Sequence, residues 1–485
     1  VTVTDVNDNN PVLTATSQSI AEGTTAVTTA TATDADTGDS QTYTISGTDA
    51  ALFTIDPVTG VLTFAAALFS AFIFMGMPDM FRTQGVGAWI FLAVSDGAMV
   101  FGIIWFGYHI RKKVKDEGFK GVSGFLSGLY GSKWPGYLFF LTAFLFLVPY
   151  AAIQIRGISI FFSATFEGLL PEWAWAVIIV GIMLLYAEIG GFKAIVYSDA
   201  IQGTVLLVVI WLIGITCIKA FGNVENLFAE VERIKPELLS VPGPNGLFTV
   251  QFLIASMLAI VLIPVTQPQL TTRIVVMKNF RSLSRMAVSL GFFAILIIMS
   301  TVFIGMYGAV RYPDASTADY LANALLFDQK DMVGALAMVG LFAACLSTTN
   351  AQIFALGTEL RSLLKGSDKL VLTSTRIGLF IFALIALAFS TLMSDELALL
   401  ARTSFTGTSM MAPVVLFAVL SRGRPPRSIL LFSGSALVAL LLSLFHVIPS
   451  EFSGIRLDFL LYIYLAAGSL VVVLLQRITK KEKAS

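Results

Sequence analysis

Between residue 65 and residue 476 the sequence returns repeatedly to apolar runs long enough to cross a bilayer. A backbone inside hydrocarbon meets no water, so each run must satisfy its own peptide groups as a helix. Twelve spans are expected, at 65–81, 86–110, 135–165, 172–189, 193–219, 247–268, 286–310, 332–360, 373–393, 397–420, 428–447 and 457–476. The chain is 56% hydrophobic and only 13% charged, which excludes an ordinary soluble domain. Net charge is zero, which gives no footing for nucleic-acid binding. Cys217 and Cys345 lie in apolar runs, and His109 and His446 are the only histidines. Neither a disulfide framework nor a histidine metal site is expected.

Residues 1–64 differ in kind. They are rich in Thr, Asp, Ala and Val and contain no Lys or Arg. Short alternating segments (Ala26–Thr33, Gln41–Ile45, Leu52–Ile55, Val61–Phe64) are divided by turn residues, the pattern of a β-sandwich. Asp5, Asn7, Asp8, Glu22, Asp34 and Asp36 supply hard oxygen ligands of the kind Ca²⁺ takes. An acidic, turn-rich loop without calcium has the same composition. Asp5-Val6-Asn7-Asp8-Asn9-Asn10-Pro11 with Asp34-Ala35-Asp36 resembles a bacterial cadherin-like repeat. The resemblance stops near Phe64, short of the ~100 residues of a full sandwich, so any calcium site is expected to be incomplete. With no starting Met and no signal peptide, the sequence reads as a fragment or a processed product.

Basic residues set the orientation. Clusters at 111–133, 273–285, 361–376 and 422–427, and in the tail from Arg477, place those loops and the C-terminus in the cytoplasm. A multi-pass protein of the cell's inner (plasma) membrane is expected, with the lipid bilayer as its solvent. On that orientation the leader, 1–64, sits inside.

Two spans carry interruptions at matching places: Gly76-Met77-Pro78 in the first, Pro264 and Pro268 in the sixth. Paired broken helices opening two halves of a bundle point to an inverted repeat with a binding site at the membrane midplane. In the eighth span Ala344, Ser347 and Thr348 share one helix face, so a carbonyl and two hydroxyls can meet one small hard cation. Such hydroxyls also bond the carbonyl four residues back. Asp96 lies mid-span, where an acid defaults to function. Gln154 and Arg156 on the third span, and the aromatics Phe72, Phe74 and Tyr150, are candidates for a solute pocket; packing is the other reading of the aromatics.

The runs Ala67-Leu68-Phe69-Ser70-Ala71-Phe72…Met75-Gly76-Met77-Pro78, Gly190-Gly191-Phe192-Lys193-Ala194…Ser198-Asp199, Gln267-Pro268…Arg273 and Ala343-Ala344-Cys345-Leu346-Ser347-Thr348 resemble the sodium:solute symporter family. That resemblance implies an all-α polytopic LeuT fold behind the small β-sandwich-like leader. Two inverted five-helix repeats at 65–220 and 247–421 would flank an extracellular loop at 221–246. Two further helices and a basic tail would fill 422–485. It implies a sodium ion held by carbonyls of Ala66, Phe69 and Ala344 and hydroxyls of Ser347 and Thr348. It also implies Asp199 on the sodium path. The candidate solute pocket, read from the residues themselves, comprises Phe72, Phe74, Asp96, Gln154 and Gln267. Such a protein is no enzyme: it imports a small organic solute by symport with Na⁺. The family's first span begins earlier than Ala66, where cadherin-like Gly60–Phe64 stands here. A join of two unrelated coding segments is therefore expected at Phe64–Ala67. The alternatives are a membrane sensor built on the same bundle, which calls for an output domain after the last span, and a calcium-binding adhesion protein.

Overall fold

The computed structural model describes residues 57–482 apart from 69 and 393–395, and four short strands ahead of them; side chains at 57–59, 187–194, 197 and beyond 478 are not described. The chain divides into two units, Val1–Thr54 and Ile55–Ser485. In the first, Thr2–Thr4 pairs antiparallel with Thr42–Thr44, and Val12–Leu13 with Ala32–Thr33. Asp5, Asn7, Asp8, Glu22, Asp34 and Asp36, the calcium candidates, lie outside the described residues.

The expected strand Val61–Phe64 is instead part of a helix, Pro57–Leu68. A five-residue apolar run fits either element. Here Ala65-Ala66-Ala67 follows, and the segment packs among helices, where a helix satisfies its own peptide groups. The half-helix expected to be missing from the first span is thus present, and the first span starts ahead of residue 65.

Each of the twelve expected runs coincides with a helix. Seven helices among the described residues are long and apolar enough to cross a membrane, and three bent pairs would each add one. The first pair is Gly60–Leu68 with Phe72–Gln84, bent by 62°; the second is Val250–Thr266 with Pro268–Val275, bent by 57°. The sixth span therefore breaks where Pro268 predicts. The first breaks earlier than Gly76-Met77-Pro78 predicts, because the wide turn Phe72–Gly76 absorbs the missing donor of Pro78. A third break, between Leu397–Ser409 and Ala412–Leu420 at 42°, falls just before Pro413, which stands in the first turn of the second half-helix. The fourth and fifth runs join as one helix, Glu172–Ala220, with two apolar arms Glu172–Tyr186 and Ser198–Ala220.

Both halves of the first span lie against the seventh, Phe280–Arg311, but only Pro57–Leu68 also packs on the Glu172–Ala220 helix and the eighth span, Asp331–Leu363. Arg402 on the tenth span forms a buried ion pair with Asp458 at the start of the twelfth, Leu457–Glu482. Its Nε also donates to Ser256 Oγ on the sixth span at 2.6 Å, and its guanidinium lies 4.4 Å from the Phe252 ring centroid.

The third span, Trp134–Thr165, touches the tenth most closely at Gly407, where an added Cβ would stand 1.9 Å from Phe146 Cδ1. Gly407→Ala is expected to cost about 1–3 kcal/mol through overpacking, read as a lower midpoint of thermal unfolding in detergent.

Candidate functional site

A break in a buried helix frees peptide groups that must find partners. At Leu68–Ala71 they come from the third span. The Tyr150 hydroxyl donates to the Leu68 carbonyl. The Ala71 amide donates to Gln154 Oε1 at 3.0 Å, and Gln154 Nε2 donates to Ser70 Oγ and to the Tyr150 carbonyl, each at 3.0 Å. The Ser70 carbonyl then starts the next half-helix by accepting from Ile73 and Phe74. Gln154, expected in a solute pocket, thus holds the hinge.

One turn before the break, the Ala66 carbonyl accepts from Thr348 Oγ1 at 2.8 Å. Two of the five groups expected around sodium therefore converge. Ala344 is buried one turn away on the same helix as Thr348. Ser347 turns aside and donates to Asp199 Oδ1. Phe69 lies outside the described residues.

Asp199 is 1% exposed and fully engaged. Thr63 Oγ1 donates to its Oδ2 at 2.6 Å, and Arg273 Nη2 donates to the same oxygen at 2.6 Å. Arg273 Nε also donates to Thr63 Oγ1 at 3.0 Å, and its Nη1 to the Gln269 carbonyl at 2.9 Å. The basic-residue count expects Arg273 in a loop. The structure buries it at 2% exposure, because the half-helix Pro268–Val275 continues past the break and carries it to Asp199. One charge cluster thus ties both broken spans to the fifth and eighth. The sequence signal was available in the spacing Gln267-Pro268…Arg273, but not the partner, 74 residues away.

The other pocket candidates separate. Phe72 packs edge-on to Phe405, with centroids 6.0 Å apart, and Tyr150 meets the same ring at 5.3 Å. Phe74 is fully buried against Phe161. Arg156 pairs with Glu172 at one end of the bundle. Asp96 follows a wide helical turn, Ile90–Val94, and is 6% exposed, with no hydrogen bond or ion pair among the described residues. Gln267 Oε1 accepts from Gln269 Nε2 at 2.7 Å, while Gln267 Nε2 has no partner. The side chains of Asn350 and Gln352, just past the hydroxyl pair, have none either. Unpartnered buried amides cost about 1–3 kcal/mol each, so they are groups a polar occupant would satisfy.

At the opposite end of the first span, Arg82 is buried against Asp79 at 2.8 Å and donates to the carbonyls of Tyr312 and Ala315, each at 3.0 Å. Asp79 in turn accepts from Thr317 at 3.0 Å. This pins the span's second half to the segment that follows the seventh span.

The sequence profile of the sodium:solute symporter family matches residues 54–423. A sodium/pantothenate symporter of Haemophilus influenzae is 29% identical over 177 residues, 35% of this chain and 35% of that protein. The alignment thus spans about a third of that relative's length. The high-affinity proline transporter PutP of Bacillus subtilis is 21% identical over 385 residues, 75% of this chain and 79% of its own. Among solved structures, a Na⁺-coupled sialic acid symporter in a substrate-bound outward-open state superposes with a TM-score of 0.69 at 14% identity, covering 87% of this chain and 88% of that one. MhsT in complex with L-phenylalanine gives 0.57 at 14% identity, over 87% of this chain and 99% of its own.

Removing Arg273 while keeping Asp199 leaves a buried charge unpaired. Arg273→Met is expected to destabilise by about 3–5 kcal/mol, and the double change Arg273→Met with Asp199→Leu to recover most of it. Thermal unfolding of both purified variants checks this.

Proposed function

The chain belongs to the sodium:solute symporter family, and from that premise we propose that it imports a small organic solute, driven by sodium running down its gradient. The observation that carries the reading is the meeting of Thr348 Oγ1 and the Ala66 carbonyl at 2.8 Å, beside the break in the first span. A cation stripped of water needs several oxygens together, and a broken helix is where carbonyls come free. The sodium site comprises the carbonyls of Ala66, Phe69 and Ala344 and the hydroxyls of Ser347 and Thr348. Asp199 lies on the ion's path, one hydrogen bond from Ser347.

The two five-helix repeats, 65–220 and 247–421, move against each other about this site, and the basic loops and C-terminus face the cytoplasm of a plasma-membrane protein. Sodium favours the outward-facing state because it binds there better, and solute then brings closure. One sodium crossing 100 mV supplies ~2.3 kcal/mol, enough for about 50-fold accumulation of a neutral solute.

The solute pocket draws on Phe72, Asp96 and Gln267, with Phe74 and Gln154 supporting it from behind. Asp96 lacks a partner, so the solute offers it a hydrogen-bond donor or a positive charge. A solute among small organic acids and amino acids is the reading that relatives named for pantothenate and proline support. A calcium role for the cadherin-like leader rests on Asp5, Asn7, Asp8, Glu22, Asp34 and Asp36 alone.

In proteoliposomes, sodium-dependent uptake of radiolabelled small solutes tests the function. The double variant Ser347→Ala, Thr348→Ala is expected to raise the half-saturating sodium concentration by about tenfold or more, the effect of losing ~1.4 kcal/mol of ion binding; unchanged sodium dependence removes the site. Asp96→Asn is expected to weaken solute uptake by about tenfold while sodium binding stays in place. Binding of sodium measured without solute separates the two.

A further inference from the structure

Glu359 has no part in the site above, yet it is fully buried at the far end of the helix that carries Ser347 and Thr348. No cation pairs with it among the described residues. Its two oxygens instead accept the first amides of the short helix Val122–Tyr130: Val122 N donates to Oε1 at 2.8 Å and Ser123 N to Oε2. A carboxylate across a helix N-terminus satisfies donors the helix cannot and meets the positive end of its dipole.

The surroundings are built for this contact. Gly121, with φ of +101°, turns the chain so closely that a Cβ there would stand 3.2 Å from Glu359 Oε1. Gly124 lets the short helix approach Ser362, whose Cβ would lie 2.8 Å from an added one. At its other end, the Tyr130 hydroxyl donates to the Val414 carbonyl at 2.9 Å, and Arg427 Nη2 donates to the Gly131 carbonyl at 3.0 Å. The short helix therefore spans the third, eighth and tenth spans on the basic face and also touches the half-helix Pro268–Val275.

We propose that Glu359 is a positioning residue for transport: it locks Val122–Tyr130 to the eighth span, so that closure of the cytoplasmic face follows occupancy of the sodium site. This rests on the placement of sodium at Ser347 and Thr348. Glu359 lies eleven residues beyond Thr348 on one unbroken helix, ~17 Å away, so a shift of the eighth span at one point is felt at the other. The lock is reversible, because water replaces the two amides when the short helix lifts.

The test places a cysteine at Leu126, on the buried face of the docked helix itself. Its labelling by an impermeant maleimide is followed in inside-out vesicles, with sodium or with choline; the chain without Leu126→Cys gives the background from Cys217 and Cys345. Sodium is expected to slow labelling about tenfold in the parent. Glu359→Gln, which can accept only one of the two amides, should lose most of this protection. Glu359→Asp, which keeps both oxygens, should retain part of it. Val122→Pro deletes one donor at a position that accepts proline, and should act like Glu359→Gln without disturbing the carboxylate. Equal sodium protection in Glu359→Gln and Val122→Pro, or none in the parent while uptake still needs sodium, overturns the lock alone. Protection at unchanged sodium concentration in the Ser347→Ala, Thr348→Ala variant overturns the sodium placement, and the proposal with it. Loss of sodium dependence from parental uptake overturns symport itself.

Discussion

A peptide group without a partner has nowhere to go in hydrocarbon, and the first span carries several. The structure answers them with three side chains placed for the purpose. Tyr150 and Gln154 reach from the third span, and Ser70 serves its own turn. The bend follows from the sum of these bonds, since no proline lies between Leu68 and Phe72. Its geometry brings the Ala66 carbonyl to the Thr348 hydroxyl, and so places the eighth span.

Charge inside the bundle follows the same economy of partners. Asp199 and Arg273 would each be costly alone; together, with Thr63 and Ser347, nearly every lone pair and proton is used. The pair does not stabilise the fold beyond what apolar residues of the same volume would give. It fixes which helix faces which, because only one register brings a guanidinium to that carboxylate. At the other end of the first span the pair Asp79–Arg82 lies within one helix, and it is Arg82's bonds to the Tyr312 and Ala315 carbonyls and Thr317's to Asp79 that tie that helix to its neighbour. Asp96 breaks the rule: it is buried without a hydrogen bond or ion pair among the described residues, which is what supports the proposal that it meets the solute.

What the sequence reveals is what depends on near neighbours. The helical character of all twelve apolar runs follows from their composition, though the fourth and fifth join as one helix, and the break at Pro268 follows from one missing amide. The break at Leu68–Ala71 was not legible, since its partners lie some eighty positions downstream, and Gly76-Met77-Pro78 offered a closer, local explanation. Val61–Phe64 could be either element until its neighbours were known. Arg273 looked like a loop residue because positive charges usually are. Glu359 gave no sign at all: its role appears only once Gly121, Val122 and Ser123 come to it.

The ion pair between Arg402 and Asp458 has a bearing on how the chain is made. The two residues are 56 positions apart, so a ribosome adding about 5–20 residues per second delivers the carboxylate roughly 3–11 s after the guanidinium. Over that interval the tenth helix has been synthesised without its counter-charge, with only Ser256 and the Phe252 ring of the earlier sixth span to receive its cation. A lone arginine at that depth is costly, so the pairing favours entry of these two helices into the lipid as a couple rather than one by one.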